Sequence, residues 1–182
     1  LRKELIESFC YISDATEKRQ FPTLKQIAKH GKNELVAAMQ VPLYEREGDR
    51  NGYLGYKYKH WFRYSFKYGD YVKAGLTGAQ DAGEPFFSNC NRWGYDHYAY
   101  YVLVRKLGRF KSIALGQYKL RLGLGLAMNT GFTLGKTAAA TMSIPTNAIA
   151  ANSSRSEAYY LQGAAATIGI TKHLDATAFV SY

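Results

Sequence analysis

Between positions 57 and 68 aromatic and basic residues alternate almost without a break, and no other feature of the chain constrains its fold as strongly. Tyr58, His60, Phe62, Tyr64, Phe66 and Tyr68 take the even positions; Lys57, Lys59, Trp61, Arg63, Ser65 and Lys67 take the odd ones. A period of two sends the two sets to opposite faces of a β-strand. The run is also long. Strands of soluble sheets average about 5–6 residues, whereas a tilted membrane-spanning strand needs about 9–11. The length points to a membrane strand with one aromatic face and one cationic face.

Six further segments repeat the alternation: 34–44, 71–80, 95–106, 111–128, 158–170 and 174–182. The last two are rich in Ala, Gly and Thr and alternate more weakly. Tight connections at Gly69-Asp70, Gly108-Arg109 and Lys172-His173 take turns with long ones at 45–56, 81–94 and 129–157. A soluble antiparallel sheet with one wet face accounts for the alternation but has no reason to sort its loops by length. Outer-membrane barrels do sort them, with short periplasmic turns and long extracellular loops. The expected fold class is therefore all-β: an antiparallel transmembrane β-barrel segment of about seven strands over residues 33–182. Seven is an odd count with the last strand ending outside, so the expectation includes more strands after Tyr182, or another subunit, to complete the wall.

Residues 1–32 read differently. Thr23 and Gln26 have capping-box spacing after Pro22, which predicts a helix over 24–30 ended by Gly31. Residues 1–11 are a second helical candidate. Both are expected in the periplasm, as a lead-in or plug segment. His30 reads as a helix-end cation rather than a ligand.

No apolar run reaches the roughly 18 residues of a membrane helix, which leaves a barrel untouched because its strands alternate. Tyr (16) outnumbers Phe (9), as suits surfaces with one apolar and one wet side. Cys10 and Cys90 match no metal spacing. The histidines His30, His60, His97 and His173 fall on separate segments. Ser153, Ser154 and Ser156, beside Arg155 and Glu157, have no nearby His to activate them, so a barrel-embedded lipase or acyltransferase is the lesser reading. Asp81 and Glu84 make a weak Ca²⁺ signal, and the stretch 81–85 reads better as a solvated turn. Glycines within 122–126 lie at strand spacing, where they bend a strand or leave room beside it. The segment 129–157 is expected either to fold into the lumen as a constriction or to remain an outer loop. The chain is expected to be no enzyme and to need no cofactor and no metal.

The formal charge of +10 is compatible with nucleic acid, anionic lipid or an anion-conducting interior. Lys57, Lys59, Arg63, Lys67, Lys73, Arg105, Lys119 and Arg121 all fall on the polar sides of their segments. A lipid-facing Lys or Arg at mid-membrane costs about 2–4 kcal/mol, so these residues are expected to point inward or to sit at strand ends. An inward set makes a cationic lumen suited to anionic solutes or single-stranded nucleic acid. The alternative is ordinary lumen and rim charges, many of them paired with acids.

The blocks TLKQIAKHGKNELV, YLGYKYKHWFRYSF, AQDAGEPFF with the following GYDHYAYYV, and SSRSEAYYLQGAAATIGITKHLDATAFVSY cover most of the chain. They resemble helix-hairpin-helix-containing outer-membrane proteins of Gram-negative bacteria. In that family a periplasmic region similar to competence DNA-uptake proteins precedes a large barrel-like region. The resemblance implies the joint and the first barrel strands, in the outer membrane, with the N-terminus periplasmic. The helix-hairpin-helix repeats themselves are missing from this sequence, so no DNA-binding role is placed on its residues. The leading functional expectation is a channel or transport-associated barrel with a basic lumen. The alternatives are a plugged barrel that anchors other envelope proteins, DNA-uptake-related nucleic-acid binding, and a soluble β-rich nucleic-acid binder. Expected partners are outer-membrane lipid and lipopolysaccharide, other envelope proteins or completing strands, and nucleic acid.

Overall fold

Each alternating segment forms a strand. The computed structural model describes residues 21–52, 54–87, 91–123, 125, 128–131, 147–155, 158–171 and 174–182. The strands are β1 (Lys32–Gln40), β2 (Lys59–Tyr68), β3 (Val72–Gln80), β4 (His97–Leu107), β5 (Phe110–Leu122), β6 (Met128–Asn129), β7 (Ile149–Ala151), β8 (Leu161–Gly169) and β9 (Asp175–Ser181). Two short helices accompany them, α1 (Leu24–His30) and α2 (Glu47–Arg50). The sheet runs β1-β2-β3-β4-β5-β8-β9, every pairing antiparallel, with β6 and β7 attached to β5. It does not close, because β1 and β9 stand at opposite ends of this order.

Register assigns the faces. On one face Glu34, Ser65, Gly75, Tyr101, Gly116 and Gly163 follow one another across neighbouring strands, and Val36, Arg63, Thr77 and Ala99 form the next row. On the other face a row runs Phe66, Ala74, Val102, Leu115, Ala164, Val180. The first face is covered over the central strands, though not at β1 and little at β9, and the second carries most of the exposed apolar side chains. Ser65, Thr77, Ser112 and Thr167 are buried on the first, while Leu35, Leu76, Val102, Leu115 and Val180 are exposed on the second. A soluble sheet buries its apolar face. Here the covered face mixes those hydroxyls with an apolar cluster of Leu103, Ala114, Tyr118, Leu120 and Ala165, while the other face is apolar and exposed.

The cover comes from the connection after β5. β4 pairs with β5 only as far as Tyr101 opposite Gly116. There Gly116 adopts a φ of 88°, and a side chain built on it would overlap the Tyr100 carbonyl, so only glycine lets the two strands part. β7 takes the vacated edge, with Tyr118, Lys119 and Leu120 opposite Ala151, Ala150 and Ile149. Tyr118 also pairs with Leu161 of β8, which fixes β7 on the β4 side. Ile149 is fully buried against Leu103, Ala114, Tyr118, Leu120 and Ala165. From this anchor residues 150–155 pass across the covered face.

The predicted strand over 111–128 is too long. β5 ends at Leu122, Gly123 turns the chain with a φ of 57°, and β6 folds back so that Met128 faces Leu122. The first strand stops at Gln40 instead of Tyr44, with Pro42 unable to donate to the ladder. The connection at Gly69-Asp70 includes Tyr71, whose N–H donates to the Tyr68 carbonyl at 3.1 Å. The Leu107–Phe110 hairpin has the expected two-residue turn. Gln26 accepts from the Thr23 N–H at 3.2 Å, and α1 ends with Lys29 and His30 in its last turn. Gly31 follows it in an extended conformation, so its lack of a side chain serves the close approach of the Phe66 ring rather than a left-handed cap. The helix expected over 1–11, the turn at Lys172-His173, and Cys10, Cys90, Ser156 and Glu157 lie outside the described residues.

Candidate anion-binding surface

Five of the eight basic candidates share the covered face. Lys59, Arg63 and Lys67 alternate along β2, Lys73 stands opposite Lys67 on β3, and Arg105 lies two residues beyond Leu103, the β4 partner of Lys73. Lys57 precedes β2 and lines a separate surface cavity with Glu45, Asp49 and Arg50. Lys119 and Arg121 alternate with Tyr118 and Leu120, whose side chains belong to the covered face, so they point to the opposite side of β5. The sequence places them with the others because Lys119 and Arg121 look like the polar set of an ordinary strand. In this strand the apolar set faces the overlying segment.

Two cavities lie between the sheet and residues 150–155. The larger, about 620 Å³, has Lys59, Trp61, Arg63, Asp81, Glu84 and Arg155 in its wall. The smaller, about 370 Å³, brings Arg63, Lys67, Lys73 and Arg105 together with Glu34 and Tyr101, beneath Ala150, Ala151 and Ser153. Arg63 borders both. Its guanidinium carbon lies 5.6 Å from the Trp61 ring centre, and that of Arg155 lies 4.5 Å from the same ring. Both separations suit cation–π attraction, which fixes a guanidinium while leaving its N–H edge free to donate. Arg155 escapes a sequence reading because it sits on no strand. Its neighbours Ser153 and Ser154 line the cavities, and among the described residues neither wall includes a histidine.

The carboxylates nearby are mostly committed. Asp81 forms an ion pair with Lys59, and Glu84 accepts the Asp81 N–H at 2.8 Å, so the 81–85 stretch is a self-bonded turn. At the tight-turn end Asp70 meets Arg105 at 2.8 Å, Lys106 at 3.2 Å and Lys73 at 3.7 Å. Arg63 and Lys67 have no carboxylate within ion-pair distance among the described residues. The Nε atoms of Arg63 and Arg105 are buried without an acceptor.

Partial burial of Asp70 raises its carboxyl, but hydrogen bonds and charge from Lys106 and Arg105 outweigh it and hold the group below its ordinary range. A depressed folded value stabilises the protein above the unfolded value, and the gain disappears as pH falls through the folded one. Asp70→Asn should therefore cost about 1 kcal/mol or less at neutral pH, since the carboxylate is 47% exposed. The gap between variant and parent in urea denaturation should narrow once pH drops below about 4. A gap that widens instead would contradict this role.

Compared with protein families, curated proteins and solved structures, the chain matches none.

Proposed function

We propose that this chain forms part of the wall of an outer-membrane β-barrel acting as a channel or transport component with a basic interior. The outer face of the sheet carries the reading: it is apolar through the middle of the seven strands, with Lys119 and Arg121 on it only toward the far end of β5, and the covered face holds five of the candidate cations and the buried hydroxyls. Lipid is the solvent in which such a face is at equilibrium, and the strand lengths of 9 to 13 residues from β1 to β5 match a tilted crossing. Aromatic residues gather where the long connections meet the apolar face. His60 packs on Phe86 at 4.6 Å and on Tyr95 at 5.2 Å, and Phe62 meets Tyr95 at 5.1 Å. An interfacial aromatic girdle has this composition and place. Because β1 and β9 each have one edge unpaired among the described residues, the proposal includes other strands to close the wall.

The decisive substitution is on the bare face. Leu115 is 52% exposed in the middle of β5. Leu115→Arg should destabilise the protein by about 2–4 kcal/mol in lipid vesicles, because the guanidinium would enter hydrocarbon. On a water-facing sheet the same change would stay within about 0.5 kcal/mol, and that result would remove the membrane reading. The overlying segment favours a second reading, a plugged barrel that anchors envelope partners. Single-channel recording separates the two: steady conductance supports transport, and a silent bilayer supports the plug.

A further inference from the structure

We infer that the roofed cavity around Arg63 binds a small phosphoryl oxyanion, either inorganic phosphate or a phosphate monoester. Three lysines on adjacent strands, Lys32, Lys67 and Lys73, stand directly opposite one another on the covered face. Neighbouring strands are only about 4.7–4.9 Å apart, and like charges in such register repel. Lys67 and Lys73 enter the smaller cavity together with Arg63 and Arg105, against the single carboxylate of Glu34. Asp70 must divide itself among Lys73, Arg105 and Lys106. The excess of positive charge is therefore local, and it faces a half-open space where water screens it somewhat less than at a flat surface.

Donor chemistry narrows the ligand. The Arg63 and Arg105 guanidinium groups have Nε hydrogens without acceptors, and a guanidinium fork pairs best with the oxygens of carboxylate or phosphate. Together with Glu34, one ligand carboxylate would still leave two of the four lining cations to share what Asp70 supplies. A phosphoryl group brings more charge and donors can reach it from several sides. Residues 150–153 cross above the site, so its roughly 370 Å³ suits a monomeric anion better than a nucleic-acid strand. In the barrel reading this names the solute class. The site itself needs only the roofed sheet.

Calorimetric titration of the full chain in detergent micelles with inorganic phosphate tests the inference, in a background of chloride. Saturable binding is expected, with at least about tenfold weaker affinity in Arg63→Gln and partial recovery in Arg63→Lys. Lys67→Gln, at an exposed position less demanding for folding, should also weaken it, whereas Lys57→Gln should leave it unchanged. Tighter binding of glucose 6-phosphate than of phosphate identifies an ester as the ligand, and the reverse order identifies the free anion. Acetate binding as tightly as phosphate, or Arg63→Gln and Lys67→Gln binding like the parent, overturns the inference. No phosphate binding alongside a penalised Leu115→Arg removes the site and leaves the barrel; binding alongside a neutral Leu115→Arg does the opposite.

Discussion

Gly116→Val should cost about 3–5 kcal/mol and detach β4 from β5 over the last part of their pairing. Two effects combine. A φ of 88° is open to glycine and a marked outlier for a β-branched residue, a strain of about 1–3 kcal/mol. The added side chain would also collide with the Tyr100 carbonyl, which is backbone and cannot swing away, and such overpacking costs about 1–3 kcal/mol more. Gly116→Ala meets the same collision with less bulk and should fall lower in the range. Denaturation in micelles followed by the fluorescence of Trp61 and Trp93 measures the loss. Hydrogen exchange should localise it, with the amides of residues 101–103 and 114–116, where β4 and β5 still pair beside the glycine, losing protection first. A valine variant as stable as the parent would mean that the strands part for some reason other than this glycine.

Much of the sheet was legible because alternation is a local property. A period of two survives whatever the strand later packs against, so all seven long segments emerge as strands, several within two residues of their predicted ends. Boundaries slipped where glycine changed its meaning. The stretch 122–126 keeps strand spacing on paper, yet positive φ at Gly123 and Gly125 turns the chain back. Closure, by contrast, is a long-range property that no local period encodes, and the described strands leave two edges open.

The cationic surface was half legible for a related reason. Lys59, Arg63, Lys67, Lys73 and Arg105 could be placed together because each belongs to a strand whose apolar set is bare. β5 breaks that rule. Its distal half is covered by residues 149–155, so Tyr118 and Leu120 turn toward the cover and Lys119 and Arg121 turn away. The facing of a strand depends on what lies above it, and the covering segment comes some 30 residues later in the chain with little charge or period of its own. For the same reason Arg155 gave no sign that it would reach the Trp61 ring.

Tyr118→Ala should be among the most destabilising substitutions within the described residues, at about 3–5 kcal/mol. The side chain is fully buried between Leu103 and Ala114 of the sheet and Ile149 of the cover, so its removal empties the joint on which the cover rests. Its hydroxyl also donates to the Val180 carbonyl at 3.1 Å, which ties β5 to β9 across β8. Tyr118→Phe keeps the ring and loses only that bond, so it should cost about 1 kcal/mol. The pair separates packing from hydrogen bonding. It also separates stability from the covered surface, because the cover is held to β5 by Ile149 packing and by the Asn152 N–H donating to the Gln117 carbonyl at 3.2 Å. In Tyr118→Ala the amides of residues 149–152 should exchange faster than the rest of the sheet, and phosphate should bind more weakly than in Tyr118→Phe. If the two variants unfold at the same urea concentration, the ring is not what holds the cover down. If exchange rises uniformly instead, the cover and the sheet unfold as one unit, and the anion cavity opens only when the whole protein does.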